Sequence, residues 1–253
     1  MNNTVALVLA AGQGTRMYSD LAKVLHPICG RPMLSYTLGT VEELGFDRLL
    51  VVVGHQADRI KEVFAEVRVE WVLQSQQLGT AHAVQCALPH LTDHGGSVVI
   101  CCGDTPLLTA DTLRLFQMEH AKLDADLSVL SMVLEEPGSY GRVVRDSEGK
   151  VSGIIEAKDA SGQESKIKEV NTGIYCAAAD LLRDVIPEIR NANAQGEYYL
   201  TDLVQLAVWR GWKVQAVTAS DPREFQGINT KEELEAAERV IAQRMEQSAT
   251  DRS

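Results

Sequence analysis

Several things are scarce in this sequence, and each scarcity excludes something. The five cysteines, Cys29, Cys86, Cys101, Cys102 and Cys176, are odd in number and show no C-x-x-C spacing. Neither a disulfide framework nor a thiolate zinc site is indicated, and the thiols read as buried and reduced, as in a cytoplasmic protein. The six histidines are read as giving no metal motif. No stretch approaches the ~18 consecutive apolar residues of a membrane span. The apolar run from Val5 to Ala11 has no basic segment before it and does not read as a signal peptide. Basic residues are outnumbered, 24 Lys+Arg against 35 Asp+Glu, for a formal charge of −11. That balance argues against a general nucleic-acid or anionic-membrane binder, which needs a basic face, and leaves room only for a local cationic pocket. No fixed-period repeat is visible, hexapeptide repeats included. What remains is ordinary globular material: 253 residues, 45% hydrophobic and 23% charged, enough for one large domain or two small ones.

Short Val/Leu-rich runs punctuate the chain at 5–9, 49–53, 69–73 and 97–102. Continuous apolar runs of this length read as strands buried on both faces. Helical patterns fall between them, at 33–44, 57–65, 81–91 and 110–122. A strand follows at 126–134, then a hairpin of 142–145 and 151–156 around the turn signal Asp146-Ser-Glu-Gly149. A strand at 170–177, helices at 180–190 and 199–210, and a strand at 214–217 complete the pattern. The alternation predicts an α/β fold, a three-layer Rossmann-like sandwich with a mostly parallel sheet and an extra hairpin. From Thr230 the composition changes; Thr230-Lys-Glu-Glu233 fits a capping box, and a Glu/Ala/Arg-rich helix is expected to about Gln247. The spacing gives one domain over 1–229 and a helical tail over 230–253.

The motif with most chemistry follows the first strand: Leu9-Ala10-Ala11-Gly12-Gln-Gly14-Thr-Arg16-Met17, with Lys23 six residues on. A glycine-rich turn at the carboxyl end of a first strand lets backbone N–H groups approach phosphates. It is neither a dinucleotide fingerprint, since Met17 stands where the third glycine belongs, nor a G-x-x-x-x-G-K-[ST] loop. Gly12-x-Gly14 alone would be no more than a strand-to-helix turn. The cations Arg16 and Lys23 set it apart, because they suit the charge that develops on a triphosphate during displacement. Cys102-Gly103-Asp104-Thr-Pro106 ends the fourth strand, and a carboxylate there is a natural magnesium ligand. The polar loop from Gln74 to Thr80, with Gly79, could meet a pyrimidine edge. Tyr140-Gly141, Glu156, Asn171-Thr-Gly173 and Gly196 to Asp202 could line a pocket for hydroxyl groups; singly, each is more often a turn, a surface charge or a cap.

Together, LAAGQGTRMYSD, Lys23-VLH, VLQSQQLGTAHA, GDTPL, YGRVVRD, IIEAKDA, NTGIY and GEYYLTD resemble the nucleotidyltransferases that make sugar nucleotides. Within that group they resemble the uridylyltransferase part of bacterial N-acetylglucosamine-1-phosphate uridyltransferases, over nearly the whole chain. The resemblance implies the nucleotide-diphospho-sugar transferase fold and transfer of UMP from UTP to N-acetyl-α-D-glucosamine 1-phosphate, with Mg2+ as cofactor. It also implies a cytoplasmic enzyme serving peptidoglycan and lipopolysaccharide precursor synthesis. On matching positions, Leu9, Ala10, Ala11, Gly12, Lys23, Gln74, Gly79, Thr80, Cys102, Gly103 and Asp104 would hold the nucleotide. Arg16 and Lys23 would be catalytic. Gly141, Glu156, Asn171 and Asn229 would bind the sugar phosphate, and Asp104 and Asn229 the metal.

Two positions depart from the family pattern. Ala22 replaces the usual proline before the lysine, which is expected to loosen a loop, and Cys102 replaces a frequent tyrosine. Bifunctional members of the family continue beyond the tail helix into a left-handed β-helical acetyltransferase domain that forms a trimer. With no hexapeptide repeat in the sequence, that domain, its acetylation of glucosamine 1-phosphate and its trimer are expected to be absent; the oligomeric state is left open. Three other readings stand: a sister enzyme for glucose 1-phosphate or for CTP or dTTP, an inactive nucleotide-binding regulatory module, and, for the tail alone, an interaction helix.

Overall fold

The computed structural model describes residues 3–250; residues 1, 2 and 251–253, at the start of the N-terminal reading and the end of the expected tail, lie outside the described residues. The chain runs through β1 (Thr4–Ala10), β2 (Pro27–Ile28), β3 (Arg31–Pro32), α1 (Leu34–Glu43), β4 (Arg48–Val53), α2 (Ala57–Val63), β5 (Glu70–Leu73), α3 (Thr80–Ala87) and β6 (Ser97–Cys102). It continues through α4 (Ala110–Lys122), β7 (Leu127–Val133), β8 (Arg142–Arg145), β9 (Val151–Ile155), β10 (Glu169–Ala178), α5 (Ala179–Val185), α6 (Asp202–Trp209), β11 (Val214–Thr218) and α7 (Lys231–Thr250).

Alternation along the strands builds the layers. Val5 and Leu7 of β1 join a core with Leu50, Val52, Val98 and Ile100, covered by α3, α5 and α6. Ala6, Val8 and Ala10 face the other way, into a core with Val51, Val53, Val99 and Cys101, covered by α1, α2 and α4. Strands apolar on both sides need helices on both sides, and the expected three-layer sandwich results.

The sheet's main path is β11-β7-β10-β6-β1-β4-β5. β5, β4, β1 and β6 run parallel, as does β11 with β7. β10 is antiparallel to both its neighbours, β6 and β7. The hairpin of β8 and β9 is part of this sheet, because Arg142 of β8 pairs with Val170 of β10. From β1 the chain moves one way to β4 and β5, then returns to place β6 on the other side of β1. The reversal opens a crevice at the carboxyl ends of these strands, where open α/β sheets bind ligands.

Some elements are shorter than the pattern predicts. α3 stops at Ala87 and a 3-10 turn, Leu88–Leu91, carries Pro89; α5 stops at Val185 and Ile186–Glu188 carries Pro187. Proline has no N–H to continue a helix and clashes with the preceding turn. The β2–β3 hairpin was not legible at all: its strands are two residues each, and its turn places Cys29 at φ 46° and Gly30 at φ 77°, the positive pair of a type I′ turn. A third apolar cluster, Ile28, Met33, Leu107, Ile228, Ala237 and Ile241, seats α7 on this hairpin. The capping box forms as predicted: Glu233 donates its N–H to Thr230 Oγ1 at 3.2 Å, and its carboxylate accepts from the N–H of Thr230 at 3.0 Å.

His90 and His94 do stand four apart, a spacing that could serve a metal. They lie on and just after the 3-10 turn and have other partners, Glu70 at 3.7 Å and the Ser97 carbonyl at 3.1 Å. Among the described residues no cluster of three or more His, Cys, Asp or Glu side chains could hold a metal, and no helix is long and apolar enough to cross a membrane.

Candidate active site

The crevice is a cleft of about 440 Å³, lined by the turn from Leu9 to Thr15, by Lys23, Gln74, Gly79 and Thr80, and by Cys102 and Asp104. Its floor is backbone. Gly103 donates its N–H to the Leu9 carbonyl at 2.9 Å, and a Cβ there would meet the Leu34 side chain at 2.9 Å and Ala10 at 3.2 Å. Gly103 therefore holds β1 and β6 together beneath the cleft rather than lining it. Gly14 has φ 67°, and a Cβ at that position would meet Cβ of Lys23 at 2.5 Å. The glycine thus lets the lysine stem lie directly on the turn.

At one end of the cleft the Lys23 ammonium donates to Asp104 Oδ2 at 2.5 Å and to Asn229 Oδ1 at 3.1 Å. The two side chains of the ion pair are 12% and 22% exposed, so the pair is shielded more than a surface one. Asn229 is held by its neighbours: its N–H donates to Glu233 Oε2 at 2.6 Å and its Nδ2 to the Gly227 carbonyl at 3.1 Å. The backbone joins in, with Ile228 N–H on the Asp104 carbonyl at 2.9 Å. Residues from three distant parts of the chain thus converge on one positive centre. One carboxylate oxygen and one amide oxygen around a single cation are the hard donors, in the small number, that magnesium takes from a protein. The residues fit that ion.

Arg16 is not part of this cluster. It sits exposed on the 3-10 turn Thr15–Met17 and makes no hydrogen bond or ion pair among the described residues. Ala22, where a loosened loop is expected, makes a contact of its own. Its N–H, which proline would lack, donates to Gln56 Oε1 at 3.1 Å, while Gln56 Nε2 donates to the Asp20 carbonyl. Cys102 lines the cleft with its thiol near the Gly173 carbonyl, 3.9 Å away. Burial and the charge of Asp104 push that thiol well above the usual range, so it is neutral and no nucleophile.

At the other end, Gln74 is buried, and its Nε2 donates to the Gly79 carbonyl at 3.1 Å. Gly79 has φ 118°, and a Cβ there would lie 2.5 Å from the Tyr198 carbonyl oxygen. This close approach explains the Gly196–Asp202 motif: Tyr198 N–H donates to the Leu78 carbonyl at 2.8 Å, Ala81 N–H to Tyr198, and Leu200 N–H to Thr80 Oγ1 at 3.0 Å. Glu197 is thereby carried to the rim. Gln13, Gln77 and Glu197 also line the cleft; each lies in a stretch that sequence reasoning named, but none was given a role of its own. Gln77 had a signal in Gly54, where a Cβ would collide with the Gln77 amide and crowd the Gln74 and Ala11 carbonyls.

Gly141, Glu156 and Asn171 form a second cluster beside the cleft. Asn171 N–H donates to the Gly141 carbonyl at 2.9 Å, and a Cβ on Gly141 would stand 3.6 Å from Glu156 Oε2. Glu156 accepts from Thr201 Oγ1 at 3.0 Å; burial, with Asp159 and Asp202 nearby, raises its carboxyl above the ordinary range. Asn171 Nδ2 donates to the buried Tyr175 hydroxyl at 2.8 Å. Gly173 borders Cys102, and the Tyr140 phenol feels the charge of Asp104, so this cluster adjoins the Lys23 end. By hydrogen bonding Asn229 belongs to Lys23 and Asp104, not to this group.

The model of the MobA-like NTP transferase domain family matches residues 6–191. The bifunctional protein GlmU of Trichlorobacter lovleyi is 50% identical over 243 residues, 96% of this chain and 53% of the relative. That of Geotalea uraniireducens is 42% identical over 97% of this chain and 54% of its own. The GlmU of Halalkalibacterium halodurans is 44% identical over 98% of this chain and 54% of its own. The chain spans about half the length of these curated relatives.

Proposed function

Because the chain belongs to the MobA-like NTP transferase domain family, we propose that it transfers UMP from UTP to N-acetyl-α-D-glucosamine 1-phosphate, releasing pyrophosphate and forming UDP-N-acetylglucosamine. The observation that carries this reading is the Lys23 ammonium held between Asp104 Oδ2 and Asn229 Oδ1 at the end of a cleft floored by a glycine turn. The choice of base and sugar is supported by the motif resemblance and by the GlmU relatives.

In this reading the N–H groups of Gly12 to Gly14 cradle the triphosphate, and Gln74 and Gly79 bound the base. An oxygen of the sugar phosphate attacks the α-phosphorus in line as the bond to pyrophosphate breaks, with no covalent enzyme intermediate. Lys23 neutralises the triphosphate, and Arg16, one residue beyond the cleft-lining Thr15, reaches the departing phosphates. Glu156, Gly141 and Asn171 take the sugar's hydroxyl and amide groups, and Asn229 its phosphate. Most of the rate comes from positioning and charge neutralisation. Asp104 and Asn229 would hold magnesium, which when bound supplies charge stabilisation to the phosphate oxygens. In this reading the reaction is a cytoplasmic one.

Pyrophosphate release over a grid of UTP, CTP, dTTP and ATP against N-acetylglucosamine 1-phosphate and glucose 1-phosphate tests the reading. The UTP and N-acetylglucosamine 1-phosphate pair should lead every other by about tenfold or more. Another leading pair makes it a sister enzyme, and UTP binding without release makes it a regulatory module.

A further inference from the structure

Behind Gln74 stands a residue with no place in the mechanism above. His82 lies on the first turn of α3, and its Nδ1 is 3.0 Å from Gln74 Nε2. The same Nε2 donates to the Gly79 carbonyl. A carbonyl can only accept, so the nitrogen end of the Gln74 amide is the end that faces Gly79 and His82. Its second proton points at Nδ1, which must then carry a lone pair. The imidazole proton is left on Nε2, whose neighbour one helical turn on is Cys86 Sγ at 3.9 Å. Burial raises the Cys86 thiol, so that sulfur is neutral and can receive the proton as a weak acceptor. The ring itself is confined by Tyr198, with centroids 6.3 Å apart and planes tilted by 37°. Tyr198 is fixed in turn by its backbone bonds to Leu78 and Ala81.

Both amide protons of Gln74 are therefore spent inside the protein. Its oxygen has no protein partner among the described residues and is the polar group that Gln74 offers to the cleft. We propose that His82 sets the base preference of the cleft, by holding the Gln74 amide with its oxygen outward. An outward acceptor matches a pyrimidine with a protonated ring nitrogen between two carbonyls, which is uracil or thymine. Cytosine presents a lone pair at that nitrogen and is repelled. A buried polar group left facing the wrong partner discriminates far more strongly than a missing apolar contact. His82 does not touch the nucleotide in this scheme; it is a positioning residue acting through Gln74. The inference rests on the reading of this cleft as a uridine-nucleotide site.

Three measurements test it. In His82→Phe the ring volume stays but the acceptor is lost. The KM for UTP should rise about tenfold and the UTP-over-CTP ratio of kcat/KM should shrink about tenfold, while kcat at saturating UTP stays within about twofold because the reacting groups lie at the other end of the cleft. His82→Asn, whose side-chain oxygen can stand where Nδ1 stood, should restore most of the preference. Nitrogen NMR of the unaltered protein gives a readout that no folding defect can confound: Nδ1 of His82 should be unprotonated and Nε2 protonated. A folded Phe variant that keeps the native UTP-over-CTP ratio overturns the role of His82, as does the opposite tautomer. A native protein that does not prefer UTP overturns the uridylyl reading itself, and the inference with it.

Discussion

On the proposed reading the cleft has a nucleotide wall and an adjoining sugar wall, and the two are built by different means. The nucleotide wall is mostly main chain: the Leu9 to Thr15 turn, the β1–β6 contact at Gly103, and the clasp of Gly79 on Tyr198. The sugar wall is made of side chains braced by other side chains, with Thr201 on Glu156 and Tyr175 under Asn171. A backbone wall tolerates changed side chains as long as its glycines remain. A side-chain wall holds its geometry only while each brace is present. At the junction stands Lys23 between Asp104 and Asn229, where charge rather than shape decides the outcome.

The junction should therefore show the largest effects. Asp104→Asn keeps the size of the side chain and removes its charge. It is expected to abolish magnesium-dependent pyrophosphate release while leaving the circular dichroism spectrum native. Normal turnover would remove Asp104 from the metal site. Lys23→Ala should slow turnover by about 10² or more, the scale of losing one transition-state donor. A rate near that of the native protein would show that Lys23 is merely the partner of Asp104.

Much of this division follows from what a sequence can express. The parallel half was legible because each doubly buried strand is a contiguous apolar run and each glycine turn a contiguous motif. The strands at 97–102 and 142–145 and the helix at 110–122 fall where the pattern puts them. The sugar wall was legible only as separate fragments that the resemblance joined, since Gly141, Glu156 and Asn171 meet across three strands and no local pattern records that meeting. Asn229 was placed with both groups, and the geometry ties it to Lys23. Arg16 was legible as a second cation behind the glycine turn, but its place was not: it sits on the 3-10 turn between left-handed Gly14 and Tyr18, next to the lining residue Thr15 and not itself lining the cleft. His82 gave no signal, because its part depends on a hydrogen bond behind the wall.

Glu156 tests the sugar wall at a smaller scale. Glu156→Gln keeps an oxygen for Thr201 and removes a charge that burial disfavours. It should raise the KM for the sugar phosphate severalfold and leave that for UTP nearly unchanged; an equal rise in both would dissolve the distinction between the walls. Stability should move the other way. The folded carboxyl titrates above the unfolded value of about 4.3. The stability tied to its protonated form is therefore complete at low pH and is lost as pH rises through the raised folded value. The variant should match the native Tm near pH 4 and exceed it increasingly toward neutral pH. A constant difference across that window would mean that Glu156 does not titrate as a buried acid.

The smallest effect belongs to Ala22→Pro, on the loop that carries Lys23. Ala22 has φ −53°, within the range that proline fixes. The substitution removes the N–H that meets Gln56 Oε1, a bond worth about 0.5–1.5 kcal/mol net. It also restricts the unfolded chain, which favours folding by about 0.4–1 kcal/mol. The two terms nearly cancel, so Tm should shift by less than about 4 °C. Because Gln56 Nε2 still reaches the Asp20 carbonyl, the loop stays attached and the KM for UTP should remain within about twofold. A tenfold rise in that KM would show that the Ala22–Gln56 bond sets the position of Lys23, and that even the backbone wall depends on one side chain.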